Sequence, residues 1–437
     1  MSDKFNPSAA ILGQSKRKFL KTTMLGAAAA SVLPLAMPNV ARGAKAKIAV
    51  IGGGIAGGTV AHYLAKGYND ALDITVIEPN RNYTTCFFSN LYLGGLRSYD
   101  SLIHGYDKLT DLGVKFAHMR AYSADTDKKT VRLAQGNNIA YDRLVVTPGI
   151  SFDYGAYEGY SEAVSMMHPH AYRGDPGVVK LKQQLHAMED GGTFIMLAPP
   201  NPYRCPPGPY ERVSMVAHYF SQYKPKSKIL ILDTKNKFSK QGLFTEGWNK
   251  HYPGMVEWLS SDLVGDIERI DANNNVIIAD GESYKGDVLN IIPPQRAGSI
   301  ASTIGIADQS GWCPINSATS FESSLASNVH VLGDSSINGA MPKSGFSANS
   351  QAKMVAMSIA HDLAGGPQYP ARFRNTCWSL ITEGDSIKVG ANYVADGSKT
   401  VSKDPFVSQT GEDETVRLQN EQEAYGWYDA ITADVFG

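Results

Sequence analysis

Two sets of residues in this chain are of types that do chemistry. The first is a run of glycines, Gly52, Gly54 and Gly57, in G-x-G-x-x-G order within the stretch KIAVIGGGIAGG at residues 47–58. In such a run the first glycine permits a tight turn, the second lets the backbone approach a pyrophosphate, and the third lets helix and strand pack closely. The pyrophosphate sits on the free N–H groups of the following helix. Glu78 stands where the fold places an acid, about 20 residues on, and is expected to accept hydrogen bonds from a ribose. The second set is the 4 cysteines, Cys86, Cys205, Cys313 and Cys377. Four cysteines allow 3 pairings, and spacing does not choose among them. No C-x-x-C-H occurs, so no covalently attached c-type haem is expected on this chain. No C-x-x-C pair or Cys/His cluster suggests zinc, and no metal site is expected.

The elements that must position these residues follow in order. The β-branched run at 48–51 predicts a strand, residues 59–66 a helix, and residues 73–77 a second strand ending in Glu78. Strand, glycine turn, helix, strand and acid together specify a dinucleotide-binding unit. Residues 141–149, YDRLVVTPG, read as a buried strand closed by Thr147, Pro148 and Gly149. That closing turn resembles the second flavin-contact turn of flavoproteins with two dinucleotide domains. A second α/β unit begins with the strand in GGTFIMLAPP, residues 191–200. Where pyridine-nucleotide reductases carry a second glycine-rich loop, this chain has NPYRCPPGPYER, with four prolines and one glycine. Proline removes the N–H donors that a pyrophosphate needs, so this unit is expected to keep the fold without binding NAD(P)H. The apolar strand at 329–334, VHVLGD, ends in Gly333 and Asp334 and resembles a second FAD fingerprint, in which the aspartate accepts a hydrogen bond from the ribityl chain. The segment MPKSGFSANSQAK, residues 341–353, offers a helix whose N-terminus faces the flavin pyrimidine edge, with Lys343 placed to stabilise negative charge on the reduced ring.

At 437 residues the chain has room for two or three domains. Its net charge of −1 gives no global attraction to nucleic acid or to an anionic membrane. Residues 1–44 read as an export signal: a basic stretch at Lys16, Arg17, Lys18 and Lys21, a short alanine-rich apolar run, then small residues suited to cleavage. The string SKRKFLK resembles the twin-arginine signal with Lys16 in place of the first arginine. The mature protein is therefore expected in the periplasm, where disulfides persist, with no integral membrane segment. The fold class expected is α/β: two Rossmann-like dinucleotide-binding domains of glutathione-reductase type plus a small C-terminal α+β domain. Residues 45–160 and 301–370 form the FAD-binding domain in this reading, and residues 161–300 the second Rossmann-like domain. Residues 371–437 form a C-terminal cap or partner-docking domain, rich in Tyr and Trp, with a polar tail broken by Gly411.

The cysteine contexts differ: YTTCFFSN around Cys86, YRCPPGPYER around Cys205, GWCP around Cys313 and NTCWS around Cys377. Together with IPPQRAG and MPKSGFSANSQ they run through essentially the whole mature length. In these motifs the chain resembles the flavoprotein subunit of flavocytochrome c sulfide dehydrogenase. The resemblance implies that Cys86 is bonded covalently to the 8α-methyl of FAD as a cysteinyl thioether. It implies that Cys205 and Cys377 form a redox-active disulfide beside the flavin and that Glu211 is the family's active-site glutamate. Cys313 has no cofactor context and is read as a buried free thiol. The function implied is oxidation of hydrogen sulfide, with electrons leaving to a separate c-type cytochrome (haem) subunit in a heterodimer. Two alternatives stand beside it: a sulfide:quinone oxidoreductase, which should show a membrane-docking amphipathic C-terminal region, and a non-catalytic flavoprotein partner of a sulfur-oxidising complex.

Overall fold

The computed structural model describes residues 44–437. The expected export segment lies outside the described residues apart from Ala44.

The strand Ala46–Ile51 is the centre of a five-stranded parallel sheet. Leu72–Ile77 and then Lys115–Ala117 lie on one side of it, Arg143–Val146 and then Val329–Val331 on the other. Ile48 faces Ile74 and Val50 faces Val76 in register. These strands are apolar on both faces because helices cover both, the usual condition of a parallel sheet. Ile48, Val50, Ile74, Val76, Leu144 and Val145 are all buried. The helix after the glycine turn runs Ile55–Tyr68, four residues earlier in its start than the apolar pattern predicts. It begins immediately after Gly54, and no side chain caps it, so the donors of its first turn are left for a ligand. The helix Gly345–Ala364 packs beside it, with Asn349 Nδ2 donating to Thr59 Oγ1 at 3.0 Å.

A second parallel sheet of four strands holds Thr193–Ala198 between Lys228–Asp233 and Val288–Ile291, with Val256–Leu259 at one edge. The two parallel sheets, each wound with helices, are the two Rossmann-like halves of the fold. The C-terminal part is a three-stranded antiparallel meander, Arg372–Thr382, Asp385–Asp396 and Lys399–Val407, followed by the helix Glu414–Val435.

That last helix departs from the sequence reading, which took the tail as polar and broken. Gly411 does stand outside the helix, but Asp413 caps its start, its carboxylate accepting from Thr415 N at 2.8 Å. The apolar stripe was masked by a buried charge network on the inward face. Arg417 Nη1 lies 3.2 Å from Asp385 Oδ1, and its Nε lies 3.1 Å from Glu412 Oε2. Beyond it Ala424, Tyr428, Ile431 and Val435 continue the same buried face. Among the described residues no helix is long and apolar enough to cross a membrane.

Candidate active site

Two cavities adjoin where the first sheet, the proline-rich loop and the C-terminal meander meet. The larger is a cleft of about 1000 Å³ along the carboxyl ends of the first sheet. The smaller holds about 90 Å³. Cys86, Phe87, Arg204 and Gly345 line both.

The cleft is built around the glycine turn. Gly52 has φ +97°, and a Cβ there would stand 2.5 Å from Thr147 O. A Cβ on Gly57 would come within 1.9 Å of Gly52 O, so this glycine serves helix–strand packing and does not itself line the cleft. Gly52, Gly54, Glu78, Thr147, Gly149, Gly333 and Asp334 all do line it. Glu78 Oε2 accepts from Gly53 N at 3.0 Å and Oε1 from Asn80 N at 2.9 Å, which fixes the acid against the turn. Thr147 Oγ1 donates to the carbonyls of Ile51 and Gly52 at 2.9 and 3.1 Å, tying the two loops together. Asp334 lines the cleft, and its Oδ1 is buried without a partner, an acceptor that calls for a donor. The size of the cleft, the uncapped helix and the orphaned carboxylate oxygen fit a flavin dinucleotide.

Lys343 departs from its expected place. It lines neither cavity. Its ammonium donates to the carbonyls of Asp334 and Ser336, each at 2.8 Å, and lies 3.8 Å from the centre of the Trp312 ring. It braces the turn that carries Asp334, and burial pulls its pKa down to about 8.

The small cavity gathers Cys86, Cys377, and the Cys205 and Glu211 of one segment, from three separate parts of the chain. All four cysteines are unbonded thiols in the structure, so the expected Cys205–Cys377 bond is not formed in it, and Cys313 is buried and does not line the small cavity. Cys205 sits in the left-handed region, φ +57°, just before the helix Gly208–Tyr223. Its N–H donates to Lys343 O at 2.7 Å, and the neighbouring Arg204 N–H donates to Gln295 Oε1 at 2.8 Å. These two amides are thus satisfied within the protein. Cys377 lies on the strand Arg372–Thr382, where Asn375 Nδ2 donates to its Sγ at 3.4 Å. Burial raises the pKa of all three cavity thiols.

Glu211, in the first turn of the helix Gly208–Tyr223, reaches the cavity wall. Its Oε2 accepts from Asn90 Nδ2 at 2.8 Å and its Oε1 from Leu380 N at 3.1 Å. Desolvation lifts its pKa above the ordinary carboxylate value, against the pull of those two donors. Part of the remaining wall is aromatic. Phe346 and Trp427 stack with rings 5.9 Å apart, and Trp378 lies 5.7 Å from Trp427.

Three cationic residues at this site were not singled out in the sequence. Arg204 bridges the cavities, with Nη1 3.6 Å from Asp334 Oδ2 and a further donation to Tyr172 O. A charge beside Cys205 in a proline-rich loop was the available signal. Arg212 is buried and donates to Asn90 Oδ1, Asn290 Oδ1 and two main-chain carbonyls, holding the floor of the cavity. Lys240 is buried behind Cys377 and 137 residues from it in sequence, and nothing in its local sequence marks it.

Three parts of the chain match families of known proteins. Residues 178–293 match the central part of the sulfide dehydrogenase (flavocytochrome c) flavoprotein chain, and residues 369–436 match the flavin-binding part of flavocytochrome c sulphide dehydrogenase. Residues 46–171 match the pyridine nucleotide-disulphide oxidoreductases. Two of these three models are thus of the flavocytochrome c sulfide dehydrogenase flavoprotein chain, and this chain is similar to that family. The flavin-binding match supports FAD as the cofactor, and the cleft described above is the place that fits it. Among curated relatives, the mitochondrial sulfide:quinone oxidoreductase of Mus musculus is 20% identical over 66% of this chain and 65% of its own length. The Dictyostelium discoideum enzyme of the same name is 19% identical over 74% of this chain and 72% of its own. Among solved structures, the sulfide:quinone oxidoreductase of Aquifex aeolicus shares the fold with a TM-score of 0.68 at 17% identity, over 90% of this flavoprotein chain and 92% of the other. A NAD-dependent persulfide reductase from A. fulgidus does so with a TM-score of 0.58 at 14% identity, over 86% and 77%.

Proposed function

We propose that this flavoprotein oxidises hydrogen sulfide in the periplasm through a Cys205–Cys377 disulfide and an FAD held covalently by Cys86. Its electrons pass to a c-type cytochrome subunit bound as a heterodimer. The observation that carries the reading is the convergence of Cys86, Cys205, Cys377 and Glu211 on one small cavity that opens beside the dinucleotide cleft.

The chain's own residues supply most of the chemistry. Cys205 and Cys377 share the wall of the small cavity, and a charge on Cys377 raises the cost of charging Cys205. Hydrosulfide is a good nucleophile toward a disulfide sulfur. Its attack forms one S–S bond and breaks another, leaving a persulfide on one cysteine and a thiolate on the other. Glu211, held by Asn90 and by the main chain of the Cys377 strand, takes up the proton shed as sulfide enters and shapes the pocket. The aromatic wall of Phe346, Trp378 and Trp427 keeps water from the reactive sulfurs. Arg204 and the Asp334 turn orient the cofactor from its other side. A second hydrosulfide takes the outer persulfide sulfur away as HSS⁻ and leaves both cysteines reduced; FAD, when bound, would accept the two electrons whose loss restores the disulfide.

The test is direct. Sulfide added to the purified protein should bleach the flavin, and Cys205→Ser or Cys377→Ser should abolish the bleaching. Undiminished reduction in either variant overturns the mechanism. A second reading, transfer to a quinone, is favoured by the likeness to sulfide:quinone oxidoreductases. Against it stands the C-terminal helix, whose buried face of Ala424, Tyr428, Ile431 and Val435 is turned inward. Rapid reoxidation by cytochrome c and not by a soluble quinone supports the first reading, and the converse supports the second.

A further inference from the structure

Lys240 stands in the turn before the helix Gln241–His251, with φ +63°, and its side chain is directed into the protein behind the Cys377 strand. An L-residue in the left-handed region is strained and persists only where its surroundings hold it there. Nζ donates to Cys377 O at 3.1 Å, to Ser379 Oγ at 3.0 Å and to Ile387 O at 3.4 Å. All three acceptors are neutral. A buried ammonium without a bonded counter-charge is costly, and such a cost is offset if a negative charge arises beside it during turnover.

The charged and titratable groups around it come from several elements. Cys377 lies on the strand it grips, Cys205 on the loop before the helix Gly208–Tyr223, and Glu211 in that helix's first turn. Tyr393, on the neighbouring strand, also feels Cys377. Burial lowers the pKa of Lys240 to about 8, while Cys377, Glu211 and Cys205 all favour its charged form. The two sulfurs are not equivalent toward this group. Cys377 Sγ accepts from Asn375 Nδ2 at 3.4 Å, and Asn375 is fixed by Ser344 Oγ and Ser347 Oγ, which donate to its Oδ1 at 2.6 and 3.2 Å. Among the described residues no side-chain donor bonds to Cys205 Sγ.

We propose that Lys240 is a positioning residue of the sulfide reaction. Its ammonium, anchored on Cys377 O, compensates the thiolate left on Cys377 and thereby directs sulfide to Cys205 Sγ. This rests on the disulfide reading above. In the step, HS⁻ bonds to Cys205 Sγ, the Cys205–Cys377 bond breaks, its electron pair stays on Cys377 Sγ, and Cys205 carries the persulfide.

The experiment is alkylation of the dithiothreitol-reduced holoprotein with iodoacetamide across pH 6–10, with each cysteine followed by mass spectrometry. In the unmodified protein Cys377 should react faster than Cys205 near neutral pH. Lys240→Met should slow Cys377 at that pH by about tenfold, equivalent to a rise of about one unit in its thiol pKa, and slow Cys205 less. Lys240→Arg should keep the original order and rate. A faster Cys205 in the unmodified protein overturns the proposal, as does equal or absent slowing in Lys240→Met. If Lys240→Met loses its flavin and its folded circular dichroism, the unmodified protein and Lys240→Arg still decide. A non-reducing peptide map lacking the Cys205–Cys377 bond would remove the disulfide reading itself, a result separate from the alkylation order.

Discussion

Asp334 turns Oδ2 toward Arg204, 3.6 Å from Nη1, and leaves its buried Oδ1 without a partner. A buried acceptor without a donor costs about 1–3 kcal/mol, so the native complex should supply one from a flavin hydroxyl. Asp334→Ala, made in a Cys86→Ser background so that no covalent link hides the effect, should weaken FAD binding by roughly 10–100-fold. Fluorescence titration of the apoprotein reads this, and unchanged affinity would mean that Oδ1 does not meet the cofactor.

Cys86 lines both cavities, the position from which a thiol reaches a ring lying between them. Denatured wild-type polypeptide should stay yellow, and denatured Cys86→Ser should be colourless while its native form still binds FAD. Peptide mapping places the flavin. Colour retained by denatured Cys86→Ser would move the attachment elsewhere.

Glu211 carries a carboxyl whose pKa is raised by burial above the value of 4.5 for the free side chain. The sign for stability follows: with the folded value above the unfolded one, ionised Glu211 is a cost. That cost is absent below the unfolded value, grows as pH rises between the two, and is constant above the folded value. Glu211→Gln should therefore gain on wild type in thermal stability as pH rises through that window. For turnover the expected sign is opposite. The rate of flavin bleaching by sulfide should climb with pH as Glu211 ionises, and in Glu211→Gln it should lose that limb and fall about 100-fold. A variant with the same pH profile as wild type would remove Glu211 from proton transfer.

Two glycines in one helix should respond in opposite directions. Gly57→Ala drives a methyl to within 1.9 Å of Gly52 O and should destabilise by at least about 3 kcal/mol. Gly67, in the same helix, has nothing within 4 Å of the added carbon. Gly67→Ala should stabilise by about 0.5–1 kcal/mol, as alanine does in an open helical position. Thermal denaturation of the two variants checks both.

The first sheet was legible in the sequence because its signals are local. The glycine spacing, the apolar strands at 46–51 and 72–77 and the acid at Glu78 each follow from neighbours in the chain. The cysteines were legible only through their motifs, since Cys205 and Cys377 approach each other through elements 172 residues apart (377 − 205). Lys240 was not legible at all, because its meaning lies in three acceptors on two distant strands. Lys343 was legible as a charge but not in its placing: its ammonium bonds the carbonyl of Asp334, and it lines neither cavity. The C-terminal helix escaped because its inward face is carried partly by Arg417, Asn420 and Glu421, which an apolar pattern does not count.

Val435 is buried against the glycine helix, where a carbon added to Gly58 would stand 2.7 Å from its Cγ1. Asp434 beside it accepts from Tyr63 Oη at 2.9 Å and from Asn349 Nδ2 at 2.8 Å. The segment that packs on the glycine helix thus follows the glycine turn by 377 residues (434 − 57). During synthesis the nucleotide cradle must wait, half-walled, until that segment has been made. A translation product cut short before Asp434 would carry every cysteine and every glycine of the site and still lack the wall that holds the cradle shut.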